Sequence, residues 1–501
     1  IIVYYSSNML LSYWDENIAD TPPIWGYINF TEVSTEKGKG GLVIMNDEMK
    51  SKLYKYPEGN VFYRKLERSY PLCVKGKGIY LYDQNGKRYI DGSGGPVCVS
   101  IGHGVKEIAE AARDQIQKVA YVHGTQFTTM SLEQYAKELA EILPQGIDKI
   151  YFLSSGSEVT ETALKLACQY QLELGNRQRY RVIGRWYSYH GTTLGALSMC
   201  GKLSMRKPYV PLLNNFPHIP PPYCYRCPFG ETYPQCNIEC AQVLEKVIKL
   251  EGPETISAFI AEPIIGATVG AVVPPKEYYP IIRDICNKFN LLFIVDEVMV
   301  GFGRTGKWFA INHWDVIPDI VVASKGIASG YTPLAIMATR KEIVDVIKNG
   351  SGNFVHGGTF SHHPVTSAVG LAVLRYLKEH NLVEQSAKRG KYLLQKLNEL
   401  KGFSFVGDVR GKGLMTAIEF VKEKETKVPF PRASHFAEKI LEKAFKRGLV
   451  LYPSIGFVDG VNGDGVMVTP PLIIEEKEID EIVNILQDVF EEAENERSRC
   501  D

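Results

Sequence analysis

Three apolar runs near the middle of the chain each end on a chemically useful residue. Leu291–Val295 reads LLFIV and stops at Asp296; Ala258–Ala261 reads AFIA and stops at Glu262. The third, Ile320–Ala323, runs through Ser324 into Lys325 and is followed by glycines, as IVVASKGIASG. Unbroken apolar runs of this length are the pattern of strands covered on both faces, so they predict a parallel sheet packed between helices. Ligands in such sheets bind beyond the carboxyl ends of the strands. One amine and two carboxylates are therefore predicted to converge on a single crevice.

A different period marks Leu153–Leu166, LSSGSEVTETALKL, where Val159, Ala163, Leu166 and Ala167 recur on neighbouring turns behind a cluster of small residues. This predicts an amphipathic helix. Its start admits two readings: an anion site made of the Gly156 and Ser157 N–H groups and the Ser157 hydroxyl, or a plain capping box from Ser155 to Glu158. Farther upstream, GIYLYDQNGKRYIDGSGG alternates about an Asn-Gly turn and predicts a hairpin. An amine able to form a Schiff base, facing a carboxylate able to hold a pyridine nitrogen protonated, is the requirement of pyridoxal phosphate chemistry. Gly301–Gly306, GFGRTG, also satisfies the dinucleotide pattern G-x-G-x-x-G. Bulky KWFAINHWDV follows it in place of a close-packed helix start, which argues against a nicotinamide site.

The segments SSGSEVTETALKLA, YSYHGTTLGALS, AFIAEPIIG, LLFIVDEVMVGFGRTG, VVASKGIASGYTPLA and HGGTFSHHP together resemble the class III aminotransferases, also called omega-aminotransferases, and occur in that family's order from about Tyr54 to Glu492. The resemblance implies a fold-type I α/β architecture. A large domain with a mostly parallel sheet of seven strands would span residues 124–376, and a smaller α/β domain would come from both chain ends, 45–123 and 377–501. Carried over, it makes Lys325 the lysine that bonds to pyridoxal 5'-phosphate and moves the substrate proton, and Asp296 the partner of the ring nitrogen. Tyr189 and Val298 would flank the ring, Gly156 and Ser157 would take the phosphate, and Glu262 would support the site. His190 would orient rather than catalyse. Thr359 would reach the phosphate of a neighbouring subunit, which implies an obligate homodimer, with a tetramer also open.

Substrates implied are an amine donor and a keto acid. Family members that use 2-oxoglutarate or gamma-aminobutyrate typically carry arginine directly after YHG and another in the strand before the C-terminal Pro-Leu, where this chain has Thr192 and Met467. Neither can replace a bidentate clamp, so pyruvate is expected to be the acceptor and a primary amine or omega-amino acid the donor. Arg410 matches a structural position of the family. A racemase or aminomutase is the alternative on the same fold.

Composition narrows the rest. The 501 residues hold 57 basic and 57 acidic side chains, so no basic imbalance points to nucleic acid. No apolar run approaches the roughly 20 residues of a membrane span, and the start lacks a charged signal-peptide region, so the cytoplasm is expected. Of ten cysteines, four cluster as Cys224, Cys227, Cys236 and Cys240 in a Pro-rich insertion, where reduced thiols are expected ahead of a structural metal or disulfides. Residues 1–44 have no family counterpart; the purine-rich codons behind EKGKGG suggest an over-extended reading frame before Met45, with a genuine N-terminal arm as the alternative.

Overall fold

The computed structural model describes residues 59–498. All of them belong to one compact unit. The extension expected at residues 1–44 lies outside the described residues.

Among the described residues, fifteen strands are laid down in chain order. The first three are β1 (Cys73–Lys77), β2 (Tyr80–Asp83) and β3 (Arg88–Asp91). The middle of the chain supplies β4 (Ile147–Leu153), β5 (Arg181–Arg185), β6 (His218–Ile219), β7 (Ile256–Ala261), β8 (Leu292–Asp296), β9 (Ile320–Ala323) and β10 (Ala335–Arg340). The last third supplies β11 (Val406–Lys412), β12 (Met415–Phe420), β13 (Leu449–Val450), β14 (Tyr452–Ile455) and β15 (Asp464–Val468).

The seven middle strands form one sheet in the order β4-β10-β9-β8-β7-β5-β6. Only β10 runs against its neighbours. The sheet is mostly parallel, as the apolar runs predict, and every residue of β7, β8 and β9 is buried. The right-handed crossover habit of such sheets requires helices on both faces. One of them is the predicted helix, Gly156–Glu173, which buries Val159, Ala163, Leu166 and Ala167.

The hairpin also forms: β2 pairs antiparallel with β3, and Gly86 of the Asn-Gly turn sits at φ +80. A short parallel pairing of Leu449 with Ile90 and Val450 with Asp91 then ties a late segment of the chain to an early one. A third sheet, β11-β12-β15-β14, is antiparallel. Phe405, Phe420, Phe436 and Phe490 pack edge to face beside it at centroid separations from 5.1 to 5.8 Å. Among the described residues no helix is long and apolar enough to cross a membrane.

Candidate active site

The three strand ends meet as predicted. Asp296 is the last residue of β8, Glu262 follows β7 directly, and Lys325 stands two residues beyond Ala323 of β9. Parallel pairing of β7 with β8 and of β8 with β9 keeps these ends on one edge of the sheet.

Asp296 is almost fully buried and both carboxylate oxygens are engaged. Oδ1 accepts the Val298 N–H at 3.0 Å, which folds the chain back after the strand, and Oδ2 lies 2.7 Å from His190 Nδ1. The imidazole holds the carboxylate in orientation, while its Nε2 is buried without a partner. Glu262 is engaged differently: Oε1 accepts Tyr189 N–H at 2.8 Å and Oε2 accepts Gly266 N–H at 2.6 Å. Burial pushes its carboxyl pKa up, opposed by His190 and reinforced by Asp296. Its backbone carbonyl receives the fully buried Arg185 at 2.5 Å and the Tyr279 hydroxyl at 2.7 Å. Glu262 thus fixes the Tyr189 backbone and the loop to Gly266 at once.

Lys325 keeps some exposure toward the crevice, and its Nζ makes no hydrogen bond or ion pair with any described residue. Desolvation lowers its pKa, against the pull of Cys98, Asp296 and Glu262. Lowering favours the neutral amine, the nucleophilic form.

The helix start serves both readings of the sequence. Ser155 Oγ accepts Glu158 N–H at 3.3 Å, and Glu158 Oε2 returns to Ser154 N–H at 3.0 Å, so the capping exchange is present, one residue displaced from the standard box. Gly156 and Ser157 are the next two residues, and their N–H groups find no acceptor within the first turn. A Cβ on Gly156 would stand 2.9 Å from Val298 Cγ1, so glycine is what lets Val298 approach. Ser157 Oγ accepts Thr192 N–H at 3.0 Å, which places Thr192 beside the helix start.

Thr359 lies on an exposed loop, and its carbonyl accepts the Tyr121 hydroxyl at 2.9 Å. Sequence reasoning missed the segment Ser93–Ile101. Gly94, Gly95 and Val97 all have positive φ, Cys98 lies within electrostatic reach of Lys325, and Ser100 and Ile101 donate to Ser329 Oγ at 2.8 and 3.0 Å. The signal was the GSGG run, which reads equally well as a turn. Arg304, inside the G-x-G-x-x-G match, was missed too: it is buried and donates to the carbonyls of Val99, Leu414, Thr469 and Pro470. No regular α-helix follows the glycines, only a 3₁₀ turn at Ala310–His313, so the segment is a stitching loop. A 690 Å³ cleft around Asp319 lies at the amino ends of β8 and β9, away from the lysine, where Asp319 pairs with both Arg283 and Arg340.

A lysine just past a central strand, on this sheet, is the arrangement of pyridoxal-phosphate-dependent transferases of fold type I. The model of the family Aminotransferase class-III matches residues 63–490, and the chain belongs to that family. It is 42% identical over 430 residues to the uncharacterized aminotransferase YodT of Bacillus subtilis, covering 86% of this chain and 97% of that one. The putrescine–pyruvate aminotransferase of Pseudomonas aeruginosa is 35% identical over 435 residues, covering 86% and 93%. Among solved structures, a thermostable (S)-enantioselective omega-transaminase from Thermomicrobium roseum superposes with a TM-score of 0.80 at 38% identity, over 85% of this chain and 93% of that one. The protein is a class III aminotransferase and its cofactor is pyridoxal phosphate.

The residues present fit that group. An unpartnered amine of lowered pKa suits an aldehyde, the oriented Asp296 carboxylate suits a pyridinium, and the glycine-opened helix start suits a phosphate dianion.

Proposed function

We propose that the protein moves an amino group from a primary amine or omega-amino acid to pyruvate in preference to 2-oxoglutarate, working as a homodimer. Bound pyridoxal phosphate supplies an aldehyde that takes up the amine and a ring that withdraws electrons from the substrate carbon. Lys325 would hold that aldehyde through Nζ, and the same amine would carry the proton off and onto the substrate carbon. Asp296, held by His190, would keep the ring nitrogen protonated. Gly156, Ser157 and, from a second copy, Thr359 would hold the phosphate, and Tyr189 and Val298 would flank the ring.

The observation that carries the acceptor assignment is Met467. It is fully buried in β15, with Ala417 and Tyr452 directly opposite on the two neighbouring strands. Cross-strand partners share a face. A Cβ on Gly270, a few residues past Glu262, would stand 3.0 Å from Ala417 Cβ, and Tyr452 bears electrostatically on Tyr189, so this face looks toward the site. It offers an apolar wall where an arginine would clamp a second carboxylate. Thr192 bonds to Ser157, and Arg410 is fully engaged by Val269 O, Gly270 O, Asp408 and Glu419. Charge-assisted hydrogen bonds contribute about 1.5–3 kcal/mol each, so each missing clamp should cost 2-oxoglutarate roughly tenfold or more. The putrescine–pyruvate relative, named for a diamine and pyruvate, supports the same pairing.

Steady-state rates with one aliphatic amine donor and the two keto acids test this. Pyruvate should give the higher kcat/KM; equal or better rates with 2-oxoglutarate would overturn the assignment. Arg64, exposed and close enough to bear on Tyr189 and Lys202, is a cation at the rim. Arg64→Ala in the same assay separates its contribution.

A further inference from the structure

The insertion between β6 and the helix Glu239–Glu251 gathers four cysteines on two short arms. Their spacing is C-x2-C-x8-C-x3-C, from Cys224 through Cys227 and Cys236 to Cys240. On the first arm Cys224 opens a single 3₁₀ turn, and Cys227 is followed at once by a tight reversal in which Gly230 N–H donates to Cys227 O at 3.1 Å with Gly230 at φ +70. On the second arm Cys236 N–H donates to Thr232 O at 3.0 Å, and Ile238 adopts a left-handed conformation that launches the helix. Cys240 lies in that helix's first turn, where free N–H groups and the dipole favour a thiolate.

All four cysteines line one cavity of about 20 Å³, together with Phe229, Pro275, Glu231 and Glu239, which is room for a single water-sized occupant. A divalent cation would hold all four as thiolates, because a coordinated thiol deprotonates outright. As placed the thiols are gathered but not ligating: among the described residues no group of three or more His, Cys, Asp or Glu side chains forms a metal shell.

We propose that Cys224, Cys227, Cys236 and Cys240 bind one zinc ion as a structural four-thiolate site. A pair of cysteines flanking a tight turn, facing a second pair at a helix start, is the ligand economy of closed tetrahedral zinc sites. The one-atom volume of the cavity favours a lone ion over an iron–sulfur cluster. The clip would act on the neighbouring fold through Arg226, which lies between the first two cysteines and donates to Glu419 at 2.6 Å. Glu419 also receives Tyr223 and Arg410, and Arg410 in turn holds Val269 O and Gly270 O on the segment after Glu262. The ion would hold the insertion in place without touching substrate.

Metal analysis of the purified full-length holoenzyme is the test. About one zinc per chain is expected. A mercurial thiol reagent should release it. The double variant Cys224→Ser/Cys227→Ser should lose the zinc and melt several degrees lower while keeping the visible absorbance of bound cofactor, and Cys73→Ser, elsewhere on the surface, should keep the zinc. The proposal is overturned by a zinc-free enzyme whose four thiols titrate freely, by disulfides among them, by iron in place of zinc, or by a double variant that retains its zinc. Should the double variant fail to fold, the metal content of the parent enzyme decides the matter.

Discussion

Lys325 occupies the left-handed region at φ +52, a conformation that costs a residue with a side chain roughly 1–2 kcal/mol. The surrounding loops hold it there: a Cβ on the adjacent Gly326 would stand 3.1 Å from Ser100 Oγ and 3.3 Å from Phe302 Cβ, so the turn has one close-packed seat. Replacing the amine should leave this seat intact and remove the chemistry. Lys325→Ala is expected to lower turnover by roughly 10²- to 10⁴-fold or more and to abolish the visible absorbance of lysine-linked cofactor; an active variant that retained the band would refute the assignment. Glu297, the next residue after Asp296, is a buried carboxyl outside the chemistry. It accepts the N–H groups of Ala310 and Ile311 at 2.9 and 2.8 Å, and burial pushes its pKa up to about 8. The folded chain therefore keeps this proton where an unfolded glutamate, near 4.3, has released it, so the stabilisation is complete below about 4.3 and lost as pH rises to about 8. Glu297→Gln removes that slope. Its melting temperature relative to the parent should rise steadily across the window, and a pH-independent difference would show that the carboxyl ionises as easily in the fold as out of it.

Elements announced their interiors more clearly than their connections. The apolar runs place β7, β8 and β9 to within a residue or two, because strands buried on both faces have no polar position to confuse the pattern. The cap at Ser155 was legible for the same local reason, since its exchange with Glu158 spans one turn. The loop Gly301–Gly306 was legible only as an irregularity. Its purpose depends on Arg304, whose partners Val99, Leu414, Thr469 and Pro470 come from distant parts of the chain. An unsatisfied buried carbonyl costs about 1–3 kcal/mol, so Arg304→Met, which fills the volume without donors, should lower stability by roughly 3–6 kcal/mol in denaturant unfolding. A loss below about 1 kcal/mol would mean that water replaces the guanidinium.

For the whole molecule, the loop bearing Thr359 leaves Val355 72% and Phe360 61% exposed, an apolar surface that a second copy of the chain would cover. If Thr359 completes the phosphate site across that interface, cofactor occupancy should follow dimerisation. Thr359→Ala should weaken cofactor retention and leave the dimer intact, whereas dilution into monomers should release cofactor from the parent enzyme. Sedimentation that finds a fully loaded, fully active monomer would rule the shared site out.

Local order along the chain determined a good deal: period-two and unbroken apolar runs select strands, the 3.6-residue period selects the helix behind Ser155, and the residue at each strand end names its chemistry. These signals are legible because the physics behind each acts between near neighbours. Tertiary structure alone decided which groups meet. His190 and Asp296, 106 residues apart, pair at 2.7 Å, and Ser157 meets Thr192 across 35 residues. Cys98, just past the GSGG run, comes within electrostatic reach of Lys325, and four cysteines that read as a loose cluster come to line one cavity. The two pairings are set by the crossover connections that return the chain to the same edge of the sheet, and no periodicity along the sequence records where a crossover ends.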